Sequence, residues 1–120
     1  MYGFMSAFGQ LNENVENASF KNFVKAIETY DNEIIIDARP QHQKDEFGFQ
    51  QAVHIPTKEN LEKFADTTDL ETPILVYCTE GFRSVDACNL LFELGFTTLI
   101  NLKSGIKNKK REIIKLNKKN

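Results

Sequence analysis

The sequence predicts an α/β domain, a sheet assembled from right-handed βαβ crossovers with helices packed against it. Three observations carry that reading. Two continuous apolar runs, Ile34-Ile35-Ile36 and Ile74-Leu75-Val76-Tyr77, have the pattern of strands covered on both faces, as in a parallel sheet. Apolar residues recur at helical spacing around them, in Phe20, Phe23, Val24 and Ile27 and again in Val85, Cys88, Leu91 and Phe92. A chain of 120 residues that is 41% hydrophobic closes one core, so residues 1–120 read as a single domain with its core at about 15–106.

The elements follow in order. After a polar lead of Asn and Glu residues, Ser19 caps a first helix that ends near Tyr30-Asp31-Asn32. The Ile34-Ile35-Ile36 strand leaves Asp37 at its carboxyl end. A polar stretch, residues 41–51, is interrupted by Phe47-Gly48-Phe49, and Ala52-Val53-His54-Ile55 before Pro56 reads as a short strand or extended link. Leu61, Phe64 and Ala65 share one face of a helix over about 58–65, and Thr72-Pro73 closes the loop into the second strong strand. Cys78 is the first residue beyond that strand. A helix over residues 84–94 follows, with Gly95 as its stop, then a strand at Thr98-Leu99-Ile100. In the tail, residues 107–120, Ile113, Ile114 and Leu116 stand among seven Lys and Arg residues, the pattern of a frayed, largely solvated helix.

Composition excludes several classes. A net charge of -2 argues against a general nucleic-acid binder, which would carry a basic surplus. Cys78 and Cys88 lack the CxxC spacing of a zinc site or dithiol oxidoreductase and are too few for a disulfide scaffold, so a reducing compartment is expected. No apolar run approaches the roughly 18 residues that cross a bilayer, and the opening MYGFMSAFGQ has no basic region before its apolar part. The expectation is a cytoplasmic protein without membrane or nucleic-acid partners; a precursor trimmed of an export signal would read the same. His42 and His54 have no partners at metal-ligand spacing, and no metal is expected.

The chemistry concentrates in Tyr77-Cys78-Thr79-Glu80-Gly81-Phe82-Arg83-Ser84, between the clearest strand and the clearest helix. A tight turn from strand to helix points successive backbone N–H groups inward, and the helix adds the positive end of its dipole, so the concavity prefers an anion. A cysteine at its mouth is favoured as thiolate and becomes a nucleophile. Gly81 allows the backbone to curl, Ser84 stands where an N-cap hydroxyl would serve, and Arg83 brings a permanent cation that either braces the loop or contacts the anion. Cys88 shares the apolar face with Val85 and Phe92 and reads as core packing.

At these residues the sequence resembles the rhodanese-like family, whose active loop is a cysteine followed by a short turn with Gly and Arg. Ile36-Asp37-Ala38-Arg39 resembles the family's strand-ending Asp-x-Arg, and Gly95-Phe96 through Asn101-Leu102-Lys103-Ser104-Gly105 its last strand and glycine turn. The resemblance implies a mostly parallel five-stranded sheet with helices on both faces. It also implies a sulfurtransferase in which Cys78 alternates between thiolate and persulfide, with loop residues Thr79, Glu80, Gly81, Phe82, Arg83 and Ser84 holding the anion. Residues 78–83 form a six-residue loop, the length of the sulfurtransferases, whereas related phosphatases and arsenate reductases carry one residue more. Asp37 and Arg39 are read as a structural hydrogen-bonding pair near the site. The implied partners are a small donor, thiosulfate or a persulfide, and a thiol or cyanide acceptor, with a sulfur-carrier protein as a further candidate. No cofactor is called for.

The departures set further expectations. Where the family has Gly-His-Ile-Pro-Gly-Ala, this chain has Phe47-Gly48-Phe49-Gln50-Gln51-Ala52, so the neighbouring rim should differ. Ser104 stands for the first of two usual glycines, and no tryptophan is present. Glu80 places a negative charge beside the nucleophile, which predicts repulsion of anionic donors such as thiosulfate. A binding or regulatory module that keeps the fold and uses the loop only as a surface is the principal alternative. The lysine-rich tail is read as a solvated face, with docking of an acidic carrier as the second reading.

Overall fold

Side-chain alternation along the two apolar runs splits the core into two layers. β2 (Ile34–Asp37) and β4 (Ile74–Tyr77) pair in parallel, with Ile36 opposite Val76 and Asp37 opposite Tyr77. Ile36, Ile74 and Val76 point into one layer with Leu61, Cys88 and Leu91, while Ile35, Leu75 and Tyr77 point into the other with Phe23 and Ile113. Both faces therefore need helices: α2 (Lys58–Asp66) and α3 (Phe82–Glu93) cover the first, and α1 (Phe20–Thr29) and α4 (Lys110–Lys119) the second. Each fully buried aliphatic or aromatic side chain in these layers contributes on the order of 1.5–3 kcal/mol. The computed structural model describes residues 10–43 and 47–119; most of the opening MYGFMSAFGQ stretch and part of the polar stretch after Asp37 lie outside them.

β1 (Glu16–Ala18), β3 (Val53–His54) and β5 (Leu99–Leu102) complete a five-stranded sheet in the order β1-β5-β4-β2-β3, parallel at every pairing. This is the α/β fold the sequence predicts. Ser19 caps α1 by accepting from Asn22 N–H at 3.2 Å, as expected, and Thr57 caps α2 the same way from Asn60 at 3.2 Å. Gly95 follows α3 with φ of 111°, the left-handed conformation that ends helices.

Four expectations are corrected. Part of the polar lead is β1, whose Ala18 alone is buried; its backbone pairs with β5, and Asn101 Nδ2 donates to Asn17 Oδ1 across the pair at 2.9 Å. β5 begins at Leu99 rather than Thr98 and runs on to Leu102. α3 starts at Phe82, two residues before the expected Ser84, because Gly81 in a left-handed conformation already turns the chain into the helix. The tail is an ordered helix: Ile113 is fully buried, and Asn117 bonds to the backbone of the rim at Gly48 and Gln50.

Strand order places the site. From β2 the chain goes to β3 on one side, and from β4 it goes to β5 on the other. The loops leaving the carboxyl ends of these neighbours therefore part, and a crevice opens between them.

Candidate active site

Cys78 lies on the floor of that crevice. A cleft of about 340 Å³ is walled by Arg39, Pro40 and Gln43 after β2 and by Cys78 to Glu80, Phe82 and Arg83 after β4. Cys78 itself is only 3% exposed, and the cleft is where it meets open space. Larger grooves of about 580 and 650 Å³ flank α4, but charged and aliphatic side chains and one aromatic, Phe20, line them and no cysteine does.

The loop curls around the sulfur. Gly81 N–H points at Cys78 Sγ at 3.1 Å and Ser84 N–H at 3.3 Å, while the thiol donates to Ser84 Oγ at 3.3 Å. Gly81 reaches this position with φ of 94°, and a Cβ there would collide with the backbone carbonyl of Lys103. Gly105, at φ of 68°, lies equally tight under the carbonyl of Thr79. The two glycines thus let the 103–105 turn press against the loop from beneath, an anchoring completed by Ile106 N–H to the Cys78 carbonyl at 3.0 Å and Lys107 N–H to the Thr79 carbonyl at 2.9 Å. Ser84 is a fully buried residue of the helix's first turn facing the sulfur, not the expected N-cap. Of the loop amides expected to ring the sulfur, Gly81 and Ser84 make the described bonds; Phe82 and Arg83, as first-turn residues, have no intrahelical acceptor for theirs.

The rim is mixed in charge. Arg83 is exposed on the cleft wall, and Phe82 beside it is 65% exposed. Glu80 also lines the cleft, but its carboxylate accepts from Lys107 Nζ at 2.9 Å, which holds the ammonium's pKa above its ordinary value. The isolated negative charge expected at Glu80 is thus an exposed ion pair. Thr79 Oγ1 donates to Gln43 Oε1 at 2.8 Å and ties the loop to the opposite wall. Sequence reading missed Gln43, since nothing local marks a glutamine whose partner is 36 residues away.

Behind the wall sits a buried polar cluster. Arg39 donates Nε to Asp37 Oδ1 and Oδ2 at 3.0 and 3.1 Å and Nη2 to Oδ2 at 2.7 Å, and its backbone N–H reaches Oδ1 at 2.9 Å. Tyr77 Oη donates to Asp37 Oδ2 at 3.1 Å and accepts from Phe49 N–H at 3.2 Å. Burial, and then the Asp37 charge, push the Tyr77 hydroxyl's pKa far up, so it stays a donor. A ring nitrogen of His54 donates to the Arg39 carbonyl at 2.7 Å. Asp37 and Arg39 are therefore brought together beside the cleft, and removing one partner of such a buried pair costs about 3–5 kcal/mol. Cys88 lies one helical turn beyond Ser84 on α3, fully buried in the same core layer as Cys78, and burial, then the charge of Cys78, push its thiol's pKa far up.

Comparison with known proteins then decides the family. The model of the rhodanese-like domain matches residues 19–112, most of the chain. The chain belongs to the rhodanese-like domain family. It is 32% identical over 72 residues to a thiosulfate sulfurtransferase of Coxiella burnetii, an alignment covering 60% of this chain and 66% of that protein, just under two thirds of the relative's length. It is also 32% identical over 94 residues to Bacillus subtilis YtwF, whose name carries a provisional sulfurtransferase assignment, covering 78% of this chain and 86% of that one. The solution structure of the rhodanese-like domain of the Anabaena protein Alr3790 superposes with a TM-score of 0.67 at 18% identity, over 80% of this chain and 74% of that one, a likeness of fold. Among the described residues no helix is long and apolar enough to cross a membrane, and no cluster of His, Cys, Asp and Glu could hold a metal ion. In this rhodanese-like domain the family match contains both Asp37-Ala38-Arg39 and the whole 78–84 loop.

Proposed function

We propose that this domain is a sulfurtransferase that carries a sulfane sulfur on Cys78 as a persulfide. One observation carries the reading: two backbone N–H groups and a serine hydroxyl converge on Cys78 Sγ at the floor of an open cleft. Such preorganised donors stabilise negative charge on sulfur without reorganising during the reaction. The Ser84 hydroxyl rotates freely, so it accepts from the thiol and donates once the sulfur is ionised. The thiolate attacks the outer sulfur of the donor. With thiosulfate, the new Cys78 S–S bond forms as the donor S–S bond breaks, and sulfite leaves with the electron pair. The terminal persulfide sulfur extends toward the first-turn amides of Phe82 and Arg83 at the positive end of α3. Cyanide or a thiolate then attacks that terminal sulfur, takes it as thiocyanate or a new persulfide, and releases the Cys78 thiolate.

No cofactor takes part in this sequence. Thiosulfate or an organic persulfide is the donor class, and a sulfur-carrier protein is a further acceptor the cleft mouth would admit through exposed Phe82 and Arg83. Family membership and the two similar proteins support the reaction class. The test is thiocyanate production from thiosulfate, or from an organic persulfide, and cyanide. Wild type should turn over and Cys78→Ala should fall by at least about a thousandfold. A chain that turns over neither donor, or a Cys78→Ala chain that retains activity, would favour a binding module that uses the loop only as a surface.

A further inference from the structure

The C-terminal segment touches one wall of the cleft and the turn packed behind the other. At its start, Lys107 bonds the nucleophile loop through its N–H to the Thr79 carbonyl and its Nζ to Glu80, each at 2.9 Å. Near the end of α4, Asn117 reaches the opposite side: Nδ2 donates to the Gly48 carbonyl at 2.9 Å, and Oδ1 accepts from Gln50 N–H at 3.0 Å. These two bonds press the turn at residues 48–50 onto the Asp37, Arg39 and Tyr77 cluster. Gly48 is so close to it that a Cβ would stand 2.7 Å from both Arg39 Nη2 and Tyr77 Oη. Phe49 then donates its N–H to Tyr77 and packs its ring at a tilt 5.6 Å from that of Phe23 and edge-on 5.2 Å from that of Tyr77. The Arg39 guanidinium lies 5.9 Å from the Phe47 ring and 5.7 Å from that of Tyr77, and Arg39 lines the cleft.

We propose that Asn117 is a positioning residue for the donor site: by holding the 48–50 turn it fixes the Arg39 wall from behind, while Lys107 before α4 holds the facing loop, so that the C-terminal segment sets the width of the cleft. The kinetic consequence rests on the sulfur-transfer reading of Cys78. Asparagine suits the task because one side chain supplies both an acceptor and a donor. Aspartate keeps the bond from Gln50 and loses the one to Gly48; leucine keeps neither. Since Asn117 bonds to the turn behind the Arg39 wall and not to the 78–84 loop, its loss should weaken donor binding and spare the sulfur step.

The experiment measures thiosulfate and cyanide kinetics for wild type, Asn117→Leu, Asn117→Asp and, as a control on the same helix, Lys118→Ala. Asn117→Leu should raise KM for thiosulfate roughly tenfold with kcat within about twofold, Asn117→Asp should fall between, and Lys118→Ala should match wild type. A folded Asn117→Leu chain with unchanged KM, or one that loses kcat alone, overturns the proposal. If wild type turns over no donor, the sulfur-transfer reading fails by itself, and hydrogen exchange still decides the link. Asn117→Leu should then speed exchange at both the Gln50 amide and the Arg39 Nε–H; faster exchange at Gln50 alone, or at neither, overturns it.

Discussion

Cys78 and Cys88 are ten positions apart, both buried, and physically opposite. Cys78 is 3% exposed and Cys88 0%, so burial does not separate them. What separates them is the company of the sulfur. Both belong to the core layer of Ile36, Leu61 and Leu91, but Cys78 faces two N–H donors and a hydroxyl where the sheet opens into a cleft, whereas Cys88 is sealed within the layer. A buried thiol with no donors stays a small hydrophobe, and one ringed by donors is prepared to hold charge. The contrast teaches that donor geometry, rather than exposure, distinguishes the two sulfurs.

The largest effect that sharpens this comparison comes at Gly81. Alanine there meets both the left-handed backbone and the Lys103 carbonyl, so Gly81→Ala should destabilise the fold by on the order of 2 kcal/mol or more and displace a donor from Cys78. Chemical denaturation read beside sulfur-transfer rates checks both, and a variant that keeps wild-type stability and rate breaks the claim that this turn builds the site.

A pH series separates the cysteines by stability. The Cys88 thiol stays protonated in the fold, while in the unfolded chain it loses its proton above roughly pH 8.5. The unfolded state then binds fewer protons, so stability falls as pH rises, by up to about 1.4 kcal/mol per pH unit. Tyr77 adds a decline of the same sign above about pH 10, and both contributions are complete at neutral pH. Urea midpoints from about pH 8 to 10 should therefore fall less steeply in Cys88→Ala than in wild type. Parallel declines would mean that Cys88 is not sealed in the core.

The smallest expected effects lie at the exposed Glu80 and Lys107 pair. Lys107→Met uncovers the Glu80 charge at the cleft and should raise KM for thiosulfate a few fold, Glu80→Gln should lower it by less, and added salt should shrink both changes. Equal KM values in all three chains at low salt would show that this charge does not sort donors.

The sequence made β2 and β4 legible because Ile34-Ile35-Ile36 and Ile74-Leu75-Val76-Tyr77 must be buried on both sides, and the loop after β4 was legible because Cys, Gly and Arg stand close together in it. β1 was hidden because Glu16 and Asn17 are exposed on an edge strand, where the pairing comes from β5 and not from local pattern. Serine is a good cap, so Ser84 looks like one in the sequence; that Gly81 begins the helix depends on its fit against the Lys103 carbonyl. The terminal helix was legible in the tail, but its lysines masked its docking, because Ile113 and Asn117 act through contacts with distant parts of the chain.

The central claim is that donors arranged around one sulfur let Cys78, and not Cys88, hold the transferred atom. The direct measurement is peptide-resolved mass analysis of the wild-type chain after a single exposure to thiosulfate or an organic persulfide, beside Cys78→Ser and Cys88→Ser. The account predicts one reducible sulfur on the peptide containing Cys78 in wild type and Cys88→Ser, and none in Cys78→Ser. Sulfur retained by Cys78→Ser, or found on Cys88 in the wild-type chain, would contradict it.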